Sequence, residues 1–171
     1  MINRSETLRQ LLRQGPISVR QLTDIMGISQ PTVSRSIKAL GDEVVRIGSG
    51  PSIHYVLRDT HRGFSSAPVY RITEEGQVKS LGKLIPVYPD GFVMAQTDNV
   101  CLHSDGLPWW LFDMRPQGYL GRAYASRFSS ELGLPPNPDN WSDTDVIRAL
   151  LAHGHDAVGN LLIRSEEHTS E

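Results

Sequence analysis

The stretch SVRQLTDIMGISQPTVSRSIKAL, residues 18–40, predicts two short helices joined by a tight turn. In the first helix Val19, Leu22 and Ile25 recur at helical spacing, which indicates an apolar side. Gly27 then supplies a residue that tolerates a positive φ, as the turn between the helices requires. The stretch therefore reads as a helical hairpin.

The second helix of this hairpin has its own start signal and its own apolar side. Ser29 is a preferred N-cap residue, and Pro31 falls within the first turn, where a missing N–H costs nothing. Val33, Ile37 and Leu40 follow at i, i+4 and i+7, which makes one apolar stripe for packing. We expect this helix to run from Ser29 to Leu40.

The face opposite that stripe is polar, carries cations and holds no acidic residue. A recognition helix needs this combination, because cations and hydroxyls bind phosphates and an Arg side chain can donate two hydrogen bonds to guanine. An ordinary hairpin with a solvated polar face is the alternative. We predict double-stranded DNA as the partner, and the predicted contacts on this helix are Ser29, Gln30, Pro31, Thr32, Ser34, Arg35 and Lys38.

A β-hairpin is predicted directly after the second helix. Val44–Ile47 and residues 53–57 read as strands, and Gly48 to Pro51 has strong turn chemistry. A hairpin in this place is the wing of a winged helix, so Arg46 and Ser49 join the predicted DNA contacts. The string SQPTVSRSIKAL closely resembles the recognition helix of winged helix-turn-helix transcription regulators.

Composition and charge agree with a cytoplasmic protein that has one basic part. No apolar run approaches the about 18 residues of a membrane span, and the N-terminal residues show no apolar region of the signal-peptide type. Cys101 is the single cysteine, so no internal disulfide is expected. Residues 1–62 carry nine basic and five acidic side chains, a net charge of +4, whereas the remainder carries −6. We expect the basic part to meet a polyanion.

The second part of the chain predicts a small antiparallel sheet with helices. A polar loop or linker at residues 58–68 precedes it. The fold class is therefore α+β, with a winged helix-turn-helix at 1–62, a sheet-plus-helices subdomain at 63–163 and a polar tail at 164–171. The predicted elements are strands at 69–72, 78–84, 91–97 and 100–103, helices at 120–132 and 143–153, and a buried strand at 156–163.

Three segments of this second part resemble one known family. They are VYRITEEGQVKSLGKLIPV (69–87), GLPWWLFDMRPQGYLGR (106–122) and HDAVGNLLI (155–163). They look like the N-terminal subdomain of HipA-type serine/threonine kinases, the toxins of type II toxin–antitoxin systems, in the branch that carries its own helix-turn-helix. The resemblance implies a subdomain that packs on a kinase domain in cis. It implies ATP and Mg²⁺ as cofactors of that kinase domain only.

Kinase chemistry itself is not found in this sequence. There is no Gly-rich phosphate loop and no catalytic-loop or metal-binding motif of the kinase type. The six histidines show no metal-ligand spacing. We expect no catalytic residue, cofactor or metal site, and no enzyme activity, in this fragment. The tail RSEEHTSE resembles a translated sequencing-library adapter, so a non-native end before a kinase domain is expected, with a disordered native tail as the alternative.

Three hypotheses for function follow. In the first, the chain is the operator-binding and N-terminal regulatory part of a HipA-like toxin kinase. In the second, it is a complete winged-helix regulator whose acidic part senses a small molecule or forms a homodimer. In the third, both parts bind proteins rather than DNA. Steep salt dependence of binding would distinguish DNA contacts from protein contacts.

Overall fold

Three helices and a two-stranded hairpin precede a five-stranded sheet with two further helices in a computed structural model. It describes residues 3–48, 50–106, 108, 118–153 and 161–163. The α+β class is confirmed. The helices are α1 (Arg4–Arg13), α2 (Val19–Met26), α3 (Gln30–Leu40), α4 (Gly118–Leu132) and α5 (Asp143–His153). The strands are β1 (Val44–Ile47), β2 (His54–Leu57), β3 (Ala67–Ile72), β4 (Val78–Val87), β5 (Gly91–Gln96), β6 (Cys101–Ser104) and β7 (Leu161–Ile163).

The N-terminal helices begin and end where the sequence places capping residues. The side chains of Ser18 and Gln21 form a capping box at the start of α2. Gly27 ends that helix with a φ of 67°, in the left-handed region that favours glycine. Ser29 caps α3, and its side-chain oxygen accepts a hydrogen bond from the backbone N–H of Thr32. The predicted turn between the two helices is therefore confirmed.

One of the three residues expected on the apolar side of α2 is misplaced. Ile25 is 60 % exposed, whereas Leu22 is fully buried. Adjacent helical residues are separated by about 100°, so Val19 and Met26 lie to one side of Leu22 and Ile25 lies to the other. The core takes the side with Val19 and Met26, and the expectation that Ile25 packs there is wrong. The buried residues of this core are Leu8, Leu12, Leu22, Val33, Ile37, Leu40 and Leu57.

The larger sheet is antiparallel throughout, with the strand order β6-β5-β4-β3-β7. Its core on one side combines strand residues such as Val69 and Phe92 with Ile147 of α5 and Ala125 of α4. The sheet-plus-helices arrangement predicted from sequence is therefore present, although β4 runs three residues further than expected. Of the strand predicted at 156–163, only Leu161–Ile163 lies within the described residues.

The two-stranded hairpin β1–β2 lies between the helices and the larger sheet. Cross-strand partners point to the same side of a hairpin, so its two faces can be read from its register. On one face Val44, Tyr55 and Leu57 pack with the core of the three helices. On the other face, the cluster with the sheet consists of Val45, Ile47, Val56, Ile85, Val87 and Val93. The hairpin is thus a layer that both cores share.

No helix within the described residues is both long enough and apolar enough to cross a lipid bilayer.

Candidate nucleic-acid interface

The outer face of α3 is open to solvent along its length. Gln30, Pro31, Ser34, Arg35 and Lys38 are exposed. The opposite stripe, which the sequence predicted, is buried against the other helices. The helix therefore presents two cations with neighbouring amide and hydroxyl groups, and its packing leaves these groups free for a partner.

A chain of side-chain hydrogen bonds runs along the first turns of α3. The hydroxyl oxygens of Ser29 and Thr32 lie 2.8 Å apart. A terminal guanidinium N–H of Arg35 donates to the hydroxyl of Thr32 at 3.3 Å. This bond uses one of several donors, so the others remain available for a phosphate or a guanine edge. It also holds Arg35 near the helix N-terminus, where the backbone dipoles favour an anion.

Several of the basic side chains counted in the sequence already form ion pairs within the chain. Arg9 donates to both carboxylate oxygens of Glu43 at 3.1 Å, and this carboxylate raises the pKa of Arg9. Arg13 pairs with Glu6 at 3.6 Å. The exposed cations of the helix-turn-helix and hairpin that form no ion pair with any described residue are Arg4, Arg20, Arg35, Lys38 and Arg46.

The hairpin is attached to the larger sheet at its tip, so it offers fewer groups to a DNA partner than an isolated wing would. Arg46 is exposed and shares its face with Tyr55, on the helix side of the hairpin. The backbone N–H of Gly48 donates to the carbonyl of Cys101 at 3.2 Å, which ties the hairpin tip to strand β6. Ser49, the other predicted wing contact, lies outside the described residues. Arg46 is therefore the candidate DNA contact that the hairpin retains.

The strand that holds the hairpin tip adds no positive charge to this surface at neutral pH. His103 on β6 is mostly buried, and burial lowers the pKa of its ring against the weaker opposing effect of Asp105 at 3.8 Å. Within the part of the chain that the structure describes, no group of three His, Cys, Asp or Glu residues is arranged to hold a metal ion. The candidate site is therefore the basic face of α3, and Arg46 is the exposed cation that the hairpin adds.

Comparison with known protein families assigns both halves of the chain. Residues 64–170 match the family model described as "YjjJ-like toxin, middle domain". The chain belongs to the YjjJ-like toxin family. Residues 3–43 match the model "Bacterial regulatory protein, arsR family", which covers α1, α2 and α3. The YjjJ-like chain thus combines a helix-turn-helix DNA-binding domain with a toxin-family middle domain, and the prediction of a helix-turn-helix is confirmed.

A curated relative matches almost the whole chain. Toxin YjjJ of Escherichia coli (strain K12) is 34 % identical over 157 residues, which is 91 % of this chain and 35 % of the relative. The chain therefore spans about a third of that relative's length. No solved structure matches this chain. The shared hairpin, β1 and β2, lies between the two segments that the family models match.

Proposed function

We propose that this chain binds operator DNA through α3 and so regulates transcription, including that of its own gene, as the N-terminal part of a longer toxin. The observation that carries the proposal is the exposed face of α3, on which Arg35 and Lys38 pair with no described carboxylate. The arsR-family match over the same helices supports it.

The role of each group on α3 follows from its chemistry and position. Arg35 is the candidate reader of a base edge, because its guanidinium can donate two parallel hydrogen bonds to guanine. Lys38, three residues further along the helix, is the candidate phosphate contact. Ser34 beside Arg35 and Ser29 at the N-terminus supply hydroxyl donors for neighbouring phosphates. Arg46, exposed on the hairpin, is a further candidate phosphate contact.

The proposed toxin activity is that of a HipA-like serine/threonine kinase, located in the part of the protein beyond this segment. The family match supports a toxin. The kinase is proposed from the resemblance of residues 69–87 and 106–122 to the HipA type, of which 107 and 109–117 lie outside the described residues. ATP and Mg²⁺ would bind the kinase domain. Transfer of phosphate from ATP by the full-length protein tests it, and no transfer under conditions that retain toxicity would contradict it.

The salt dependence of DNA binding tests the proposed function of this chain. We expect the purified chain to shift a duplex from immediately upstream of its own coding sequence in an electrophoretic assay. The logarithm of the binding constant should fall with the logarithm of salt concentration, with a slope of about −0.9 for each phosphate neutralised. A flat slope would favour a protein partner, and no shift at low salt by the folded chain would contradict the proposal.

A further inference from the structure

The turn between β4 and β5 of the middle domain reaches into the helix-turn-helix. Tyr88 in this turn packs, half-buried, against the core of the three helices. Its backbone N–H donates to the carbonyl of Leu57 at 3.0 Å. The guanidinium of Arg13, at the end of α1, lies 5.9 Å from the centre of the Tyr88 ring. A side chain of the toxin-family segment therefore forms part of the DNA-binding domain.

A buried arginine holds this turn in place. Arg62 donates to Asp59 at 2.9 Å and to the carbonyls of Gly91 at 2.8 Å and Pro89 at 3.1 Å. A further bond goes to the carbonyl of Val87. Its guanidinium also lies over the ring of Phe92, 5.1 Å from the centroid. The segment predicted as a linker is thus fixed to both ends of the β4–β5 turn.

Backbone hydrogen bonds join the two parts at the same place. The N–H of Asp59 donates to the carbonyl of Pro86 at 2.8 Å, and Arg58 forms an isolated antiparallel bridge with Val87. The helix α1, which Tyr88 contacts through Arg13, also packs against α3 and β2. A displacement of the β4–β5 turn would therefore act on α1, and through α1 on the helix that carries Arg35.

We propose that Tyr88 is a positioning residue for DNA binding and that the DNA-binding unit of this chain extends into the toxin-family domain. The inference rests on the proposed function. Tyr88 touches no DNA; it fixes the orientation of α1 and α3 relative to the hairpin and Arg46. The affinity for DNA consequently depends on how the middle domain holds its β4–β5 turn, which couples the two domains of this chain.

Replacement of Tyr88 tests the proposal in the complete chain. Tyr88→Ala should weaken binding to the upstream duplex by about tenfold, which is a typical size for coupling between sites. Phe64→Ala is the matched control, because Phe64 is also a half-buried aromatic residue but packs against the core between the sheet and its helices. It should leave the binding constant within about twofold. Circular dichroism at the assay temperature verifies that both variants are folded.

Hydrogen exchange in the unmodified chain gives a second readout, which does not depend on any variant. Addition of the duplex should slow exchange of the backbone N–H groups of Asp59 and Tyr88, since these bonds cross between the domains and the DNA-bound form requires them. If Tyr88 serves only to stabilise the fold, these amides should gain no more protection on DNA binding than amides inside the larger sheet, because binding then stabilises the whole folded chain equally.

The outcomes separate this inference from the proposed function. Two results would overturn the positioning role of Tyr88. One is that Tyr88→Ala binds DNA with the same affinity as the wild type, and the other is that DNA protects only amides of residues 18–57. Either result would leave the proposed role of α3 in DNA binding unaffected. If Tyr88→Ala does not fold, the exchange experiment alone decides. Failure of the wild type to bind any duplex would instead contradict the proposed function, and the inference with it.

Discussion

An Arg35→Ala chain is expected to bind its upstream duplex about one to two orders of magnitude more weakly than the wild type. A bidentate contact from Arg to guanine contributes about 1–3 kcal/mol of discrimination, and about 1.4 kcal/mol corresponds to a tenfold change in affinity. The stability of the fold should change little, because Arg35 is exposed and its one hydrogen bond, to Thr32, is local. Titration of labelled duplex with each protein measures the effect.

Arg71→Ala is the control for this substitution. It removes the same charge from an exposed position on β3 of the middle domain, so it should shift the affinity only slightly. Exchange of the contacted base pair should also have little further effect on Arg35→Ala, whereas it should weaken the wild type. Equal losses in Arg35→Ala and Arg71→Ala would mean that binding follows net charge alone and that α3 does not read sequence.

Arg62→Met is expected to lower the free energy of unfolding by about 3–5 kcal/mol, because removal of one partner leaves a buried charge uncompensated. The side chains of Arg62 and Asp59 are only 9 % and 8 % exposed. The substitution would also deprive the carbonyls of Val87, Pro89 and Gly91 of their donor. Urea denaturation followed by circular dichroism measures the loss.

The double variant Asp59→Asn/Arg62→Met separates the charge from the packing. Its loss of stability should be smaller than that of Arg62→Met alone, since no buried carboxylate is left unpaired. A loss of less than about 1 kcal/mol in Arg62→Met would place this pair among exposed ion pairs. It would contradict the view that Arg62 fixes the β4–β5 turn.

The helix-turn-helix could be predicted in detail because its signals are local. Ser18, Gly27 and Ser29 act within one turn of the helices that they cap. The stripe of α3 depends only on a spacing of three and four residues. Because the apolar stripe of α3 is buried, the opposite face of the helix must be exposed. The exposure of Arg35 and Lys38 on that face could therefore also be predicted. For Ile25, spacing admitted two adjacent stripes, and only the tertiary packing selects between them.

The union of the two domains could not be predicted, because it depends on contacts distant in sequence. One signal was present: β1 and β2 carry apolar residues on both faces, as Val44 with Val45 and Val56 with Leu57 show. A wing exposed on one side would alternate between apolar and polar residues. This pattern predicts that both faces of the hairpin are buried, but it does not show which element covers the second face.

The register shift between β3 and β4 was also indicated in the sequence, although only in part. Gly82 lies inside a strand pattern, which indicates a bulge or a close backbone approach. The register between β3 and β4 shifts next to it, between Val69 and Tyr70, and a Cβ at Gly82 would clash with the backbone carbonyl of Ala95. The glycine was visible in the sequence, whereas the strand that approaches it was not.

Cross-linking from α3 tests the central claim most directly. In a Cys101→Ser background, Ser34→Cys places a single thiol on the exposed face of α3, and Lys79→Cys places one on exposed β4 as the control. Each is labelled with a photoreactive group and irradiated with the bound duplex. The account predicts DNA adducts from position 34 and few from position 79. Binding with adducts from position 79 and none from position 34 would contradict α3 as the element that contacts DNA.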